Sequence, residues 1–311
     1  MYQVSVVILN WNGAKDTLEC IKSVKKCQGP SPIVFSAQSD RVQCTIIVVD
    51  NGSTDNSVDV FKKQKGIILL ENKENLGFAG GNNVGMKYAI ENGADFVLIL
   101  NNDTRVDEDL LVHLVEAAEI NKSAGIFSPK IYFEKGFEYH KDQYRETERG
   151  KVIWYVGGVM DWDNVLGSNY GVDDVDIGQY QEERKIDFAT GACMFIRRKV
   201  IEEIGFFDEK YFLYLEDADY SIRAKNANWK VVFTPRAYLW HKVSRSSGIG
   251  SELNDYYISR NRMLFGLKYA PIHSKLALIR ESINLLLGGR KWQKQGIKDF
   301  YSGVFRKGSF K

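Results

Sequence analysis

Carboxylates and amides gather at the ends of apolar runs in this chain. Phe96-Val97-Leu98-Ile99-Leu100 leads straight into Asn101-Asn102-Asp103. Ile46-Ile47-Val48-Val49 leads into Asp50-Asn51-Gly52-Ser53, and Val4-Ser5-Val6-Val7-Ile8 into Leu9-Asn10-Trp11-Asn12. Such groups, held at rigid positions, can hydrogen-bond a polar ligand or answer its charge. A fourth segment, Asn75-Leu76-Gly77-Phe78-Ala79-Gly80-Gly81-Asn82-Asn83, joins amides to glycines. Glycines opening a helix let backbone N–H groups approach a phosphate, and the helix dipole favours the anion. Their spacing is not the dinucleotide fingerprint, and no Gly-Lys-Ser/Thr ending marks a Walker loop. Glu216, Asp217 and Asp219 then crowd together after the aromatic run that starts at Phe212. That is more acid than a helix dipole requires.

Each feature also has a plainer explanation. Asn101-Asn102-Asp103 would serve to turn the chain and cap a helix beginning near Asp107. Glycine clusters occur in tight turns, acids in first helical turns, and a single histidine such as His241 in structural roles. The positions of the polar groups favour the chemical reading. Continuous apolar runs are strands buried on both faces, the pattern of a central parallel sheet. In open α/β sheets, ligands bind beyond the carboxyl ends of the strands. Three buried strands that bring polar groups to one edge make a site.

Helical periodicity links these strands. Asp16 to Lys26 places Leu18, Ile21 and Val24 on one stripe, and Gly29-Pro30-Ser31-Pro32 ends it and opens a loop reaching about Gln43. Ser53-Thr54-Asp55 caps a helix with Val58 and Phe61 inward, a short strand spans Ile67 to Leu70, and a helix runs through Met86 to Ile90. This alternation predicts a doubly wound α/β domain with right-handed crossovers. Residues 134–186 are charged and aromatic, with one clear strand near Ile153 to Val159, and are expected to elaborate the crevice. A strand at Ala192 to Ile196, a helix from Arg198 to Ile204 closed by Gly205, and a short strand at Val231 to Phe233 come next. His241 lies between Trp240 and a Ser/Gly-rich stretch, 244–251. The boundary is placed there: residues 1–250 as the α/β domain and 251–311 as a basic helical extension, with helices at Tyr256 to Tyr269 and Ile272 to Leu287.

The 311 residues suffice for one large domain or a domain with an appendage. An apolar fraction of 44%, a charged fraction of 26% and a net charge of +2 are those of an ordinary soluble protein and argue against general attraction to nucleic acid. Cys20, Cys27, Cys44 and Cys193 show no metal or redox spacing and read as buried free thiols of a reducing cytosol. The first strand begins too early for a signal peptide, and no apolar run approaches the roughly 20 residues of a spanning helix. Arg260, Arg262, Lys268, Lys275 and Arg280, with six further Lys/Arg from Lys291 to Lys311, allow two readings of the extension. It either packs as a helical pair with solvated cations, or lies on an anionic membrane surface.

In their order, the motifs resemble the family-2 inverting glycosyltransferases of GT-A fold, closest to rhamnosyltransferase-like members that build surface polysaccharides. The motifs are Leu-Asn-Trp-Asn, Val-Asp-Asn-Gly-Ser-Thr-Asp, Asn-Leu-Gly-Phe-Ala-Gly-Gly-Asn-Asn, Asn-Asn-Asp, Thr-Gly-Ala, Glu-Asp-Ala-Asp and a late His. The resemblance covers roughly Val4 to Ser247, interrupted at 134–186. It implies that Asp50 hydrogen-bonds the donor's pyrimidine with Trp11 near the ring, and that Asn75, Gly77 and Gly80 line its pyrophosphate and sugar. Leu9, Asn10, Asn12, Asn51, Ser53, Asn82, Asn101 and Asn102 complete the implied donor site. Asp103 would bind Mg²⁺ or Mn²⁺ with the diphosphate, His241 would complete the metal shell, and Asp217 would be the general base with Glu216 beside it. Asn101 stands where the family's Asp-x-Asp-type motif has its first acid.

The implied activity is transfer of one sugar from a nucleotide-diphosphate donor, dTDP-rhamnose or a UDP-sugar, to a surface-glycan or lipid-linked acceptor. The enzyme is expected in the cytoplasm, peripheral on the inner face of the membrane or dimeric through its extension. Absence of a Gln-x-x-Arg-Trp motif argues against a processive synthase. A sugar-nucleotide nucleotidyltransferase would carry a Gly-rich signature with Arg and Lys near the N-terminus, which this sequence lacks. A non-catalytic nucleotide-sugar binder would not need Asp217.

Overall fold

The computed structural model describes residues 1–27, 42–243 and 250–310. The loop expected from Gly29 to about Gln43 and most of the Ser/Gly-rich stretch lie outside them. The first half alternates as the sequence predicts: β1 (Tyr2–Asn10), α1 (Ala14–Lys26), β2 (Val42–Asp50), α2 (Ser57–Lys62), β3 (Ile68–Glu71), α3 (Gly77–Glu91) and β4 (Phe96–Asn101). β3, β2, β1 and β4 lie side by side in that order, and all three pairings are parallel. The chain moves outward from β1 to one side through β2 and β3, then returns to its other side at β4. That reversal opens a crevice at the carboxyl ends of β1 and β4.

Beyond β4 come β5 (Thr104–Val106), α4 (Leu110–Ile120), β6 (Ala124–Phe133), β7 (Ile153–Tyr155), β8 (Gly158–Asp161), β9 (Leu166–Asn169), β10 (Arg184–Lys185), β11 (Cys193–Arg197), α5 (Arg198–Ile204), α6 (Glu216–Asn226) and β12 (Lys230–His241). β11 pairs antiparallel with β4 and β6, so the sheet is mixed on this side. β8 and β9 form a separate hairpin within the 134–186 region, where the sequence predicts one strand. α5 matches its expected limits, and Gly205 caps it at φ +76°.

β12 departs most from expectation: the sequence predicts three residues and twelve are found. Pro235 lies inside it, which ordinarily argues against a strand. Here the pairing with β6 jumps from Thr234–Pro129 to Tyr238–Lys130. The bulge takes up the proline, and the strand resumes as far as His241.

Three helices close the described chain where the sequence predicts two: α7 (Glu252–Tyr269), α8 (Ile272–Gly288) and α9 (Lys291–Tyr301). Met263, Phe265, Leu278 and Ile297 from them share a core with Met160, Phe188, Tyr211 and Ala218. Cys20 and Cys193 are buried, and Cys27 and Cys44 half-buried. No helix among the described residues is long and apolar enough to cross a membrane.

Candidate active site

A cavity of about 490 Å³ occupies the crevice, and Leu9, Trp11, Asn51, Asn75, Gly77 and Asn101-Asn102-Asp103 all line it. The polar ends of three strands therefore meet, as their sequence pattern implies. Asn51 locks the wall in place. Its Nδ2 donates to Asn75 Oδ1 (3.0 Å) and the Gly77 carbonyl (3.1 Å), and its Oδ1 accepts from Asn72 Nδ2 (3.0 Å) and the Leu76 amide (3.1 Å).

Other implied donor residues sit behind the cavity surface. Asp50 is buried, accepting from Asn10 Nδ2 (2.9 Å) and the Ser53 amide (3.0 Å). Asn10 is itself buried and takes Thr17 Oγ1 at 2.8 Å, while Ser53 Oγ accepts from the Asn12 amide at 2.9 Å. These contacts fix the turn that presents Trp11, which is 55% exposed. Asn12 Oδ1 accepts from the Thr54 amide at 2.8 Å, clamping the turns after β1 and β2 together.

The glycine cluster also works from behind the wall. A Cβ on Gly81 would lie 2.4 Å from Leu9, and one on Gly85 2.3 Å from Val7. These glycines let α3 press against β1, a packing role that neither reading of the sequence, phosphate approach or tight turn, includes. Gly80 and Asn82 are buried with them, Asn82 Nδ2 donating to the Phe78 carbonyl at 3.0 Å. Gly77 alone of the cluster's glycines lines the cavity, with φ +75° and Phe212 only 2.5 Å from where a Cβ would stand.

Asp103 comes just after the end of β4, and β12 delivers His241 to it. The bulged strand pairs antiparallel with β5, His241 opposite Thr104. The Lys242 amide donates to the Asp103 carbonyl at 2.9 Å. His241 Nε2 lies 3.0 Å from Asp103 Oδ1, both side chains being largely buried. The Trp154 ring meets the imidazole edge-on, centroids 4.6 Å apart, and Nδ1 has no hydrogen-bond partner among the described residues. A carboxylate oxygen and an imidazole nitrogen at this spacing suit neighbouring corners of a Mg²⁺ or Mn²⁺ octahedron, whose edge is roughly 3 Å for ligands at about 2.1 Å. Among the described residues no group of three His, Cys, Asp or Glu forms a closed cage, so further ligands would be phosphate oxygens and water.

The three acids of α6 diverge. Asp217 lines a second cavity, of about 240 Å³, with Trp154, Asn169, Thr190, Tyr214 and Arg262. Its Oδ2 accepts from the Gly191 amide and its Oδ1 from the Ala218 amide, at 2.9 and 2.8 Å. Burial pushes its carboxyl above the ordinary range, and these amides oppose the rise. Glu216 is turned into the interior, and its Oε2 has no hydrogen-bond partner among the described residues. Burial, then the Asp217 charge, raise its carboxyl well above the usual value.

Asp219 is wholly buried and accepts from Arg223 Nε (2.8 Å), Lys268 Nζ (2.8 Å) and Tyr269 Oη (2.7 Å), tying α6 to α7. Burial would raise its carboxyl, but the Lys268 hydrogen bond and the Arg223 charge outweigh it and hold the group below its usual range. Asp219→Asn should therefore cost about 3 kcal/mol of stability, because two cations lose their buried partner. A shift of the urea midpoint to lower concentration, with an unchanged slope, is the expected result.

The loop before α6 is strained. Phe212, Tyr214 and Leu215 have φ of +66°, +71° and +70°, unusual for side chains of this size. Asn261 Nδ2 braces it, reaching the carbonyls of Tyr211, Leu213 and Tyr214 at 2.8–2.9 Å. The Phe212 carbonyl accepts from the Phe78 amide, so the same loop touches α3. Phe212, Leu213, Leu253, Tyr257, Lys307 and Phe310 also line the first cavity and had no motif to mark them.

The sequence model described as "Glycosyl transferase family 2" matches residues 5–205. The N-acetylglucosaminyl-diphospho-decaprenol L-rhamnosyltransferase of Mycobacterium tuberculosis (strain CDC 1551 / Oshkosh) is 27% identical over 66% of this chain and 68% of its own length. The dTDP-rhamnosyl transferase RfbF of Shigella flexneri is 23% identical over 78% of this chain and 77% of its own. Among solved structures, the mannosyltransferase PcManGT from Pyrobaculum calidifontis, in complex with GDP-Man and Mn²⁺, superposes with a TM-score of 0.55 at 14% identity, covering 99% of this chain and 76% of that one. GalNAc-T7 with UDP, GalNAc and Mn²⁺ gives 0.58 at 16% identity, covering 97% and 58%. The fold is GT-A.

Proposed function

The chain belongs to glycosyl transferase family 2, and from that premise we propose that it moves one sugar, with inversion, from a nucleoside-diphosphate donor to a glycan or lipid-linked acceptor of the cell envelope. The observation that carries the reading is a pair of cavities: Asp103, its oxygen beside His241, lines one and Asp217 the other, and Leu213 and Tyr257 of the first stand next in the chain to Tyr214 and Ile258 of the second. Residues 1–250 form the transferase body in this reading. The names of the two relatives favour dTDP-rhamnose as donor, with UDP-sugars as rivals.

The donor's base lies by Trp11 and its diphosphate by Asn102-Asp103. Asp103 and His241 would hold Mg²⁺ or Mn²⁺, and the ion would neutralise charge on the departing diphosphate. The acceptor occupies the second cavity with a hydroxyl at Asp217. As the acceptor oxygen bonds to the anomeric carbon, the bond from that carbon to the donor phosphate oxygen breaks and the hydroxyl proton passes to Asp217. The two amides on the Asp217 carboxylate fix its direction. Calorimetry with dTDP, UDP and GDP, each with and without Mn²⁺, then a donor panel read by nucleoside diphosphate release, tests the reading. No nucleotide binding at all would remove it.

The acceptor chemistry favours action at the cytoplasmic face of a membrane. Three of the cations noted in the extension are engaged internally: Arg260 on backbone carbonyls, Arg262 with Glu281, and Lys268 with Asp219. α8 also exposes an apolar face, beside His273, Arg280 and Asn284. Ile272, Leu276, Ile279, Ile283 and Leu287 form one helical stripe open to solvent, with Arg280, Lys291 and Lys298 exposed nearby in the chain. The stripe would sit in the headgroup boundary with cations meeting anionic lipid. The protein should pellet with anionic vesicles, be released by salt, and lose pelleting in Ile283→Asp. Equal recovery in the supernatant with neutral and anionic vesicles would assign the stripe to a second subunit.

A further inference from the structure

Residues 302–310 return from α9 across α7 and are pinned at nearly every step. The Arg306 amide donates to the Lys210 carbonyl (3.1 Å), and the wholly buried Arg260 donates through Nη1 to the Arg306 carbonyl (2.8 Å) and through Nη2 to the Lys210 and Tyr211 carbonyls. Tyr257 Oη donates to the Lys307 carbonyl at 3.0 Å. The Ser309 amide reaches Tyr256 Oη and Asp299 Oδ2, each at 2.9 Å, and Phe310 packs on Trp292 with centroids 4.7 Å apart. Gly308, at φ +62°, passes so close to Tyr256 that a Cβ would lie 1.9 Å from its hydroxyl. A buried arginine committed to three backbone carbonyls is a costly way to hold a surface segment unless its position matters.

The segment carries Lys307 and Phe310 to the wall of the nucleotide cavity. Among the described residues lining that cavity, Lys307 is the one Lys or Arg, and Asp103 the one acid. Its backbone is held while its side chain is exposed.

We propose that Lys307 is the protein's counter-cation for the donor diphosphate, positioned by the Arg260-held strap. The inference rests on the transferase reading. As the bond to the anomeric carbon breaks, negative charge grows on the leaving diphosphate, and a fixed ammonium at the cavity wall stabilises it. The strap also couples the cation to the base: Arg260 grips the Tyr211 carbonyl, at the start of the strained loop that leads to Asp217.

The test compares wild type, Lys307→Ala and Lys307→Arg by calorimetry in Mn²⁺ with dTDP, UDP and GDP, and with the nucleoside of whichever binds. Lys307→Ala should weaken diphosphate binding roughly tenfold, the scale of one lost charge-assisted hydrogen bond. Nucleoside affinity and thermal unfolding should not move, and Lys307→Arg should recover most of the loss. Unchanged diphosphate affinity in Lys307→Ala would overturn the assignment while leaving the transferase reading intact. Equal weakening for nucleoside and diphosphate would overturn it too, since that is a loosened strap and not a lost charge. Wild type that binds no nucleoside diphosphate would bring down the transferase reading, and this inference with it.

Discussion

Asp217→Asn is expected to lower turnover by roughly 10²–10⁴-fold, the usual cost of a lost general base, with nucleoside diphosphate affinity nearly unchanged. The separation comes from where the side chain stands. Asp217 faces the cavity of Trp154 and Tyr214, apart from the nucleotide cavity of Trp11 and Asn102. Asparagine can keep the contact with the Ala218 amide through its oxygen but cannot accept a proton. The fold should survive, as judged by circular dichroism and an unaltered unfolding midpoint. The same carboxylate sets the pH response. Burial raises its protonation range, and only the ionised form accepts a proton, so turnover should rise with pH across a range above that of a free carboxylate. The base would have to be another group if Asp217→Asn turned over normally with a verified donor and acceptor. Asp219 is a poor substitute, being buried beneath Lys268 and Arg223.

Asp103→Asn should damage binding and turnover together. In the proposed mechanism its carboxylate supplies a charged oxygen to the metal, and His241 a neutral nitrogen. Removing that oxygen should reduce the Mn²⁺-dependent part of nucleoside diphosphate affinity to near the metal-free value. Turnover should fall by roughly 10²–10³-fold, because several kcal/mol of leaving-group stabilisation go with the ion. Loss of the Asp103 charge also frees His241 from its hydrogen-bonded carboxylate. His241→Ala should give a smaller loss of the same kind, since a carboxylate and the phosphates would remain. Binding titrations at fixed nucleotide and varied Mn²⁺ separate the two variants. Asp103→Asn with wild-type metal dependence would place the metal elsewhere.

The polar ends of β1, β2 and β4 were legible from the sequence because local rules govern them. An unbroken apolar run must be buried on both faces, and the residues after such a strand emerge at the sheet edge. Six of the residues lining the first cavity, Leu9, Trp11, Asn51, Asn101, Asn102 and Asp103, belong to such ends. The order of motifs carried the family, and alternation of strand and helix carried the fold.

Tertiary structure decided whatever depends on contacts far apart in the chain. His241 meets Asp103 across 138 residues, and only a bulge that absorbs Pro235 extends β12 far enough to bring it there. Three acids in one helical turn look alike in sequence, but successive residues on a helix point about 100° apart. Burial, two amides and two cations therefore gave Glu216, Asp217 and Asp219 different surroundings. The glycines of α3 read in sequence as phosphate ligands or as residues of a tight turn, and their packing role emerged only with Leu9 and Val7 standing where Cβ atoms would be. Lys307 had no motif at all. Its place at the first cavity comes from Arg260 holding the Arg306 carbonyl across 46 residues and the Tyr257 hydroxyl holding the Lys307 carbonyl across 50, contacts that no local pattern marks.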